Sequence, residues 1–313
     1  MTRQDVRDLA REMGFEKDAL ADVRPVETPK AGPLHPQAQS LTGDAREIMP
    51  GAKSVLVLAY PYRPYRENPG EAEADAYYVE GNRAHENALR LAERLRERGV
   101  AAQMTASLRV KPLAARAGLG RQGRNTLIAV DEFGTRVSLQ TIVTDLEPDA
   151  GQDDEIGLDE RCLTCRACVD ACPTGALRGD GTLDIDRCVR AQPENQPLRE
   201  DLSRFAGASL LGCDLCQRVC PRNAAVDKTD LPDGLRACLR LDRLLAGDYK
   251  GLIPYLGKNN ARRLRLMNRA ALAAANRERT DLLPLLEKLT EEDNPLGEQA
   301  VRSIRRLNGI KKE

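Results

Sequence analysis

Apolar residues at Val6, Leu9, Ala10 and Met13 recur at helical spacing, so residues 3–13 read as a short amphipathic helix. The period changes at residues 54–60, where Val, Leu and Ala run almost without interruption, as in a strand buried on both faces. A loop rich in Pro, Tyr and acidic residues follows over 61–76. Helical spacing returns over 85–98, with Leu89, Leu91, Ala92 and Leu95 facing inward and Gly99 as the stop. Residues 101–105 then read as a second strand, 112–117 as a short helix and 138–144 as a third strand. Strands and helices mixed in this way make the first 150 residues an α/β or α+β domain.

Between the last two of these elements lie Gly118, Gly120 and Gly123, followed by Asn125. Such a loop lets a backbone approach a flat or anionic ligand closely, and it serves equally as a plain tight turn. As a nucleotide loop it lacks a preceding first strand and a suitably placed acid on the next one. Beyond residue 260 the pattern is helical throughout. Residues 260–276, 281–290 and 295–307 form three segments, the first with an apolar stripe of Leu264, Leu266, Met267, Ala270, Ala271 and Ala274. Paired helices of this length correspond to one or two HEAT-type units, too few for a solenoid.

Composition adds two constraints. The 313 residues are 41% hydrophobic, enough for real cores, but only 3% aromatic with no Trp, so platforms for stacking bases are scarce. Net charge is zero, yet residues 236–313 carry 17 Lys and Arg against 10 Asp and Glu. A basic tail of that kind can hold a polyanion or can simply be a solvated helical surface. No apolar run is long enough to cross a membrane, and the polar start at Met1 lacks a secretory h-region. The expectation is a cytoplasmic monomer whose thiols stay reduced.

The nine cysteines change the picture most. Cys162, Cys165, Cys168 and Cys172, with Pro173 after the last, have the bacterial ferredoxin spacing. In that spacing three thiolates hold one 4Fe–4S cluster and the fourth reaches to another. Cys188, Cys213, Cys216 and Cys220, with Pro221 following, complete a second set whose first member lies far upstream of its pair. One cluster is thus expected on Cys162, Cys165, Cys168 and Cys220, and the other on Cys172, Cys188, Cys213 and Cys216. Structural zinc needs only four ligands per site and has no use for reciprocal CxxxCP ends. Disulfides do not suit a reducing compartment. Cys238 is left over as a small buried apolar residue.

The segments LAARAGLGRQGRNTLI at 113–128 and EFGTRVSLQTIVTDL at 132–146, followed by the paired cysteine motifs, resemble epoxyqueuosine reductases. These are cobalamin-dependent iron–sulfur enzymes that complete queuosine in tRNA. The same segments resemble the core of reductive dehalogenases, which share the cobalamin-binding fold. The resemblance implies an α+β protein with a nitroreductase-like cobalamin-binding domain at 1–150, a two-cluster ferredoxin domain at 151–230 and a short HEAT-like helical tail at 231–313. It also implies cobalamin contacts at Tyr78, Asn125, Ile128, Leu139 and Arg190, an external electron donor of ferredoxin or flavodoxin type, and tRNA against the basic tail. For the tail, Arg262, Arg263, Arg265 and Arg269 fall within two helical turns.

Two positions depart from the family. Where it carries a proton-donating Asp nine residues before the LAxxAGLG segment, this chain has Met104, and a thioether cannot donate a proton. The family's Asp-Tyr-His triplet is Arg83-Ala84-His85, with His85 at the expected helix start, either near the cofactor or facing water. The other histidine is His35, and neither has a corrinoid-binding DxHxxG context. Tyr77 and Tyr78 are alternative proton donors. The expected activity is an epoxyqueuosine reductase-like reduction. The alternative is an electron-transfer protein, or a reductase acting on a corrinoid or another small molecule.

Overall fold

The structure is a computed structural model that describes residues 1–26, 40–152 and 157–310. His35 lies outside the described residues. The chain packs as two compact units, each assembled from three stretches of sequence. The first comprises Met1–Arg63, Glu80–Ile185 and Leu215–Asp227, and the second Pro64–Val79, Asp186–Asp214 and Lys228–Glu313. These packing boundaries do not follow the 1–150, 151–230 and 231–313 segments.

The first unit is built on an antiparallel sheet of four strands in the order β1 (Lys17–Asp22), β2 (Ser54–Pro61), β6 (Val137–Thr144), β3 (Ala102–Thr105). Strand β2 explains the uninterrupted apolar run. Its alternate residues Val55, Val57 and Ala59 enter one core, while Leu56 and Leu58 enter another on the opposite face. All five are fully buried, each burial being worth about 1.5–3 kcal/mol for the Val and Leu side chains. Helix α1 (Arg3–Glu12) covers the Leu56 face with Val6, Leu9 and Ala10. Its start is fixed by a capping box between Thr2 and Asp5.

Helix α2 (Ala76–Glu97) covers the same face through Ala84, Ala88, Leu91, Ala92 and Leu95. It begins at Ala76, where the expected loop of 61–76 ends, and so well before the expected start at residue 85. Leu89 is 44% exposed rather than inward, because that spacing points it away from the stripe. The Val55 face is closed by Leu113 and Ala114 of helix α3 (Val110–Arg116) together with Ile128 and Val130. A two-residue hairpin, β4 (Arg121–Gln122) with β5 (Ile128–Ala129), accounts for the glycine loop. Strand β1 was not expected: its Ala-Leu-Ala centre is short and flanked by acids, and it is held at the sheet edge by β2.

The second unit is helical. Helix Arg263–Asn276 is its centre, with every residue from Leu266 to Ala275 buried. Helix Pro295–Ile310 packs on it and on Leu283–Leu289, and the short helix Leu241–Leu245 touches both. All three expected tail helices are present. Residues 64–79 complete this unit from far upstream: Tyr65 bridges to Thr229, Glu73 bridges to Ser209, and the Glu71 carboxylate accepts the Leu241 N–H at 2.6 Å. Among the described residues no helix is long and apolar enough to cross a membrane.

Candidate functional site

Cys162 closes a 3-10 turn, Glu160–Cys162, whose start is capped by the Asp159 carboxylate accepting the Arg161 N–H at 2.9 Å. Cys168 lies on the one-turn helix Ala167–Asp170, and Cys220 precedes the turn Pro221–Asn223. These elements place Cys162, Cys165, Cys168 and Cys220 around one cavity. Gly123, Arg124, Asn125, Thr135 and Arg222 line the remainder. Burial pushes the Cys168 thiol up, and the neighbouring Cys220 and Cys162 add to the rise. Burial likewise raises Cys220, with Cys162 and Cys165 adding and a backbone hydrogen bond at Arg222 opposing. Four thiols lining one cavity suit a cationic inorganic core among them.

Cys172 is not part of that cavity lining. Burial would raise its thiol, but it is outweighed by the Thr174 hydroxyl, 3.5 Å from the sulfur, and by backbone N–H groups at Ala176, Thr174 and Leu177, so the net shift is downward. Cys172 and Cys216 belong to the first unit, Cys188 and Cys213 to the second. Cys238 is half-buried against the helical core, where its sulfur lies 2.7 Å from the Cβ position that Gly251 leaves empty.

Two devices hold the four-cysteine cavity. Arg124 donates from Nε to the Cys162 carbonyl at 2.5 Å, from Nη2 to the Leu163 carbonyl at 2.9 Å and from Nη1 to the Gly179 carbonyl. The hairpin loop is thereby clamped onto the first cysteine run. On the other side Asn223, Gln217 and Thr135 form a buried polar network. Asn223 Oδ1 accepts the Thr135 N–H at 2.8 Å, Asn223 Nδ2 donates to the Gln217 carbonyl at 2.8 Å, and Gln217 Nε2 donates to the Thr135 carbonyl at 2.6 Å. Gly134, at φ 59°, is required there, since a Cβ would lie 2.2 Å from Asn223 Oδ1. None of Arg124, Asn223 or Gln217 was singled out from sequence. The offset of Asn223 from Cys220 and of Arg124 from the glycines was the only available signal.

Other anticipated residues fall in several places. Asn125 lines the cavity, whereas the Ile128 side chain is 3% exposed and packed in the core. Leu139 is partly buried on β6. In the second unit Tyr78 and Arg190 are together: the guanidinium lies 5.1 Å from the Tyr78 ring and 4.4 Å from that of Tyr77. Burial pushes the Tyr78 phenol up to about 12, with Arg190 pulling the other way. Asp75 receives Arg190 Nη1 at 3.4 Å. Met104 packs partly against the core of Leu91, Leu95 and Ile142. His85 is exposed in the middle of α2, not at a helix start.

The tail arginines do not share a face. Arg269 is 3% exposed and its Nε has no hydrogen-bond partner. Arg265 pairs with Glu194 at 2.9 Å, Arg263 is held by the Glu292 carboxylate, and Arg262 is exposed beside Asn259. Arg269 therefore cannot meet a phosphate at the surface. The pattern misleads because the basic residues lie on both the outer and the inner side of one helix.

Residues 161–223 match the family described as a 4Fe-4S double cluster binding domain, so the chain carries an iron–sulfur module. Among curated proteins, the epoxyqueuosine reductase of Bacillus cereus is 28% identical over 260 residues, covering 74% of this chain and 67% of the relative. That of Bacillus subtilis is 32% identical over 199 residues, covering 60% and 50%. The chain is similar to epoxyqueuosine reductases. A crystal structure of epoxyqueuosine reductase with an epoxyqueuosine-modified tRNA stem loop shares the fold, with a TM-score of 0.80 over 97% of this chain and 90% of that one at 23% identity. A catabolic reductive dehalogenase aligns with 86% of this chain and 35% of its own length, at a TM-score of 0.50 and 17% identity. The mixed helix and strand fold is thus that of epoxyqueuosine reductase-like proteins, and the four-cysteine cavity falls inside the double-cluster segment.

Proposed function

We propose that this chain is a cobalamin-dependent iron–sulfur oxidoreductase that reduces epoxyqueuosine in tRNA. The observation that carries the reading is the convergence of Cys162, Cys165, Cys168 and Cys220 on one cavity within the double-cluster segment. One cluster is held by those four and the other by Cys172, Cys188, Cys213 and Cys216. In functional terms residues 1–150 form the nitroreductase-like cobalamin domain, 151–230 the two-cluster domain and 231–313 the HEAT-like tail. Cobalamin meets Tyr78, Asn125, Ile128, Leu139 and Arg190. The half-buried Tyr78 phenol and Arg190 guanidinium fit the amide-rich rim of a corrin, and the fully packed Ile128 side chain leaves only its backbone for contact.

When bound, the clusters deliver single electrons and cobalamin supplies the reducing centre. The chain's own part is to position, exclude water and provide a proton. Tyr78 is protonated throughout the neutral range and is the donor in place of the missing Asp. The four-cysteine cavity would hold the cluster that takes up electrons, since Leu163 is 60% and Val219 43% exposed next in sequence to Cys162 and Cys220. Arg161, Arg166 and Arg218, exposed and close in sequence to Leu163 and Val219, would suit an acidic ferredoxin or flavodoxin. The protein acts as a cytoplasmic monomer, and tRNA lies against exposed tail residues such as Arg262.

Turnover of an epoxyqueuosine-containing stem-loop by reconstituted protein, with iron and cobalt counted, tests this. About eight irons, bound cobalamin and queuosine formation are expected. Cys220→Ser should remove the cluster of the first run while the second survives in resonance spectra, and the reverse pattern would refute the ligand assignment. The packing of Met104 into the sheet favours a second reading, an electron-transfer protein reducing a corrinoid or another small molecule. It predicts full cluster loading with no turnover of the stem-loop.

A further inference from the structure

Asn125 combines three features that its proposed contact with cobalamin does not explain. It is 5% exposed and lines the cavity of Cys162, Cys165, Cys168 and Cys220. Its Oδ1 accepts the Leu127 N–H at 3.3 Å, which fixes which end of the carboxamide faces the turn. The other end, Nδ2, is fully buried and has no hydrogen-bond partner. Buried amide donors in folded proteins are almost always satisfied, so an orphan beside a set of thiols points to an acceptor seated among them.

The surrounding loop is shaped to hold that end in place. Gly123 has no side chain, and a Cβ there would lie 2.9 Å from Asn125 Oδ1 and 3.7 Å from Cys162 Sγ. Thr126 takes the left-handed conformation, φ 66°, which turns the chain directly after Asn125. The three donations from Arg124 to the carbonyls of Cys162, Leu163 and Gly179 fasten the loop over the cysteine run. The carboxamide is thus held at the cavity by its burial and by the turn.

We infer that Asn125 Nδ2 donates a hydrogen bond to a sulfur of the cluster held by Cys162, Cys165, Cys168 and Cys220, and so raises that cluster's reduction potential. The inference rests on the cluster reading given above. Added electron density in a reduced cluster lies largely on sulfur, so an N–H donor stabilises the reduced form more than the oxidised one. Asn125 is a positioning and tuning residue for electron entry; the cobalamin contact expected for it becomes secondary.

Full-length protein, reconstituted anaerobically, would be titrated with reductant and each cluster followed by electron paramagnetic resonance, for wild type, Asn125→Ala and Asn125→Asp. The Asp variant keeps the oxygen that accepts the Leu127 N–H, so it removes the donor and spares the turn. Expected is a fall of about tenfold in the reduction equilibrium of one cluster, 59 mV for a one-electron couple, with the other unmoved and the iron content unchanged. Pulsed resonance on wild type carrying isotopically labelled asparagine should show coupling to a side-chain nitrogen, absent in the Asp variant. This second measurement decides the matter if either variant fails to hold iron. An unshifted potential in an iron-replete Asp variant, or no coupling in wild type, would overturn the inference. So would an unshifted potential with loss of cobalamin uptake, which would place Asn125 on the corrin instead. Wild type without iron would sink the cluster reading itself, a separate failure.

Discussion

Asn223→Ala tests whether the buried network behind Cys220 is what holds the four-cysteine cavity. The substitution orphans the Thr135 N–H, which now donates to Asn223 Oδ1 at 2.8 Å with Thr135 4% exposed. A buried N–H without an acceptor costs about 1–3 kcal/mol. It also deletes the two donations from Nδ2, to Thr135 Oγ1 at 3.0 Å and to the Gln217 carbonyl at 2.8 Å. Each is worth about 0.5–1.5 kcal/mol net. The Gln217 carbonyl keeps the Cys220 N–H at 3.3 Å and Thr135 Oγ1 keeps Gln217 Nε2 at 3.3 Å, so neither is stranded. Mid-range values give a loss of about 4 kcal/mol, or a fall of roughly 10 °C in the thermal midpoint of a domain this size. Melting would be followed at one fixed scan rate, because iron–sulfur proteins seldom refold on cooling. Iron release during a mild chelator challenge would be measured in parallel and should quicken. A midpoint within about 2 °C of wild type, with iron released no faster, would refute the view that this network supports Cys220.

Other outcomes follow from single contacts. Gly120→Ala should destabilise the first unit by about 1–3 kcal/mol, since its Cβ would lie 2.5 Å from the Ala129 carbonyl oxygen; a chemical melt checks this, and the cause is hairpin packing rather than obstruction of a ligand. Because Tyr78 is raised to about 12, folding stability should be complete below pH 10 and fall as pH rises from about 10 to 12, where only the unfolded chain has lost that proton. Alkaline denaturation and tyrosinate absorbance would show it, and Tyr78→Phe should remove that part of the slope. Arg262→Ala should weaken tRNA binding uniformly across sequences and lower its salt dependence. Charge removal at Arg269, already buried, should instead lower stability without touching the salt slope. Binding isotherms at two salt concentrations separate the two.

Legibility in the sequence differed by kind of signal. Strand β2 and helix Arg263–Asn276 announced themselves because packing on more than one side demands unbroken apolar runs. The cysteine spacing was legible for a similar reason, since cluster geometry tolerates few alternatives. Strand β1 and the early start of α2 were not, because both depend on partners distant in sequence: β1 on the edge of β2, and Tyr77 and Tyr78 on Arg190. Leu89 and Arg269 were assigned to the wrong side of their helices by composition of the window rather than by angle. The residues that brace the cavity, Arg124, Gln217 and Asn223, are polar side chains whose value lies entirely in tertiary hydrogen bonds, which no local period records.

The stretch Pro64–Val79 has a consequence for the order in which the protein can be made. It belongs to the helical unit, but its bridge partner Thr229 follows Tyr65 by 164 residues, and the Leu241 N–H that Glu71 accepts comes later still. At about 5–20 residues per second on the ribosome, that interval is on the order of 10–30 s. The stretch must wait through it with Ala72 and Val79 uncovered, while the sheet of the neighbouring unit already has all of its strands by Thr144. A nascent chain arrested between these points should be open to proteases at 64–79 and shielded over β2. Chaperone capture would act in that window, before the last helices emerge.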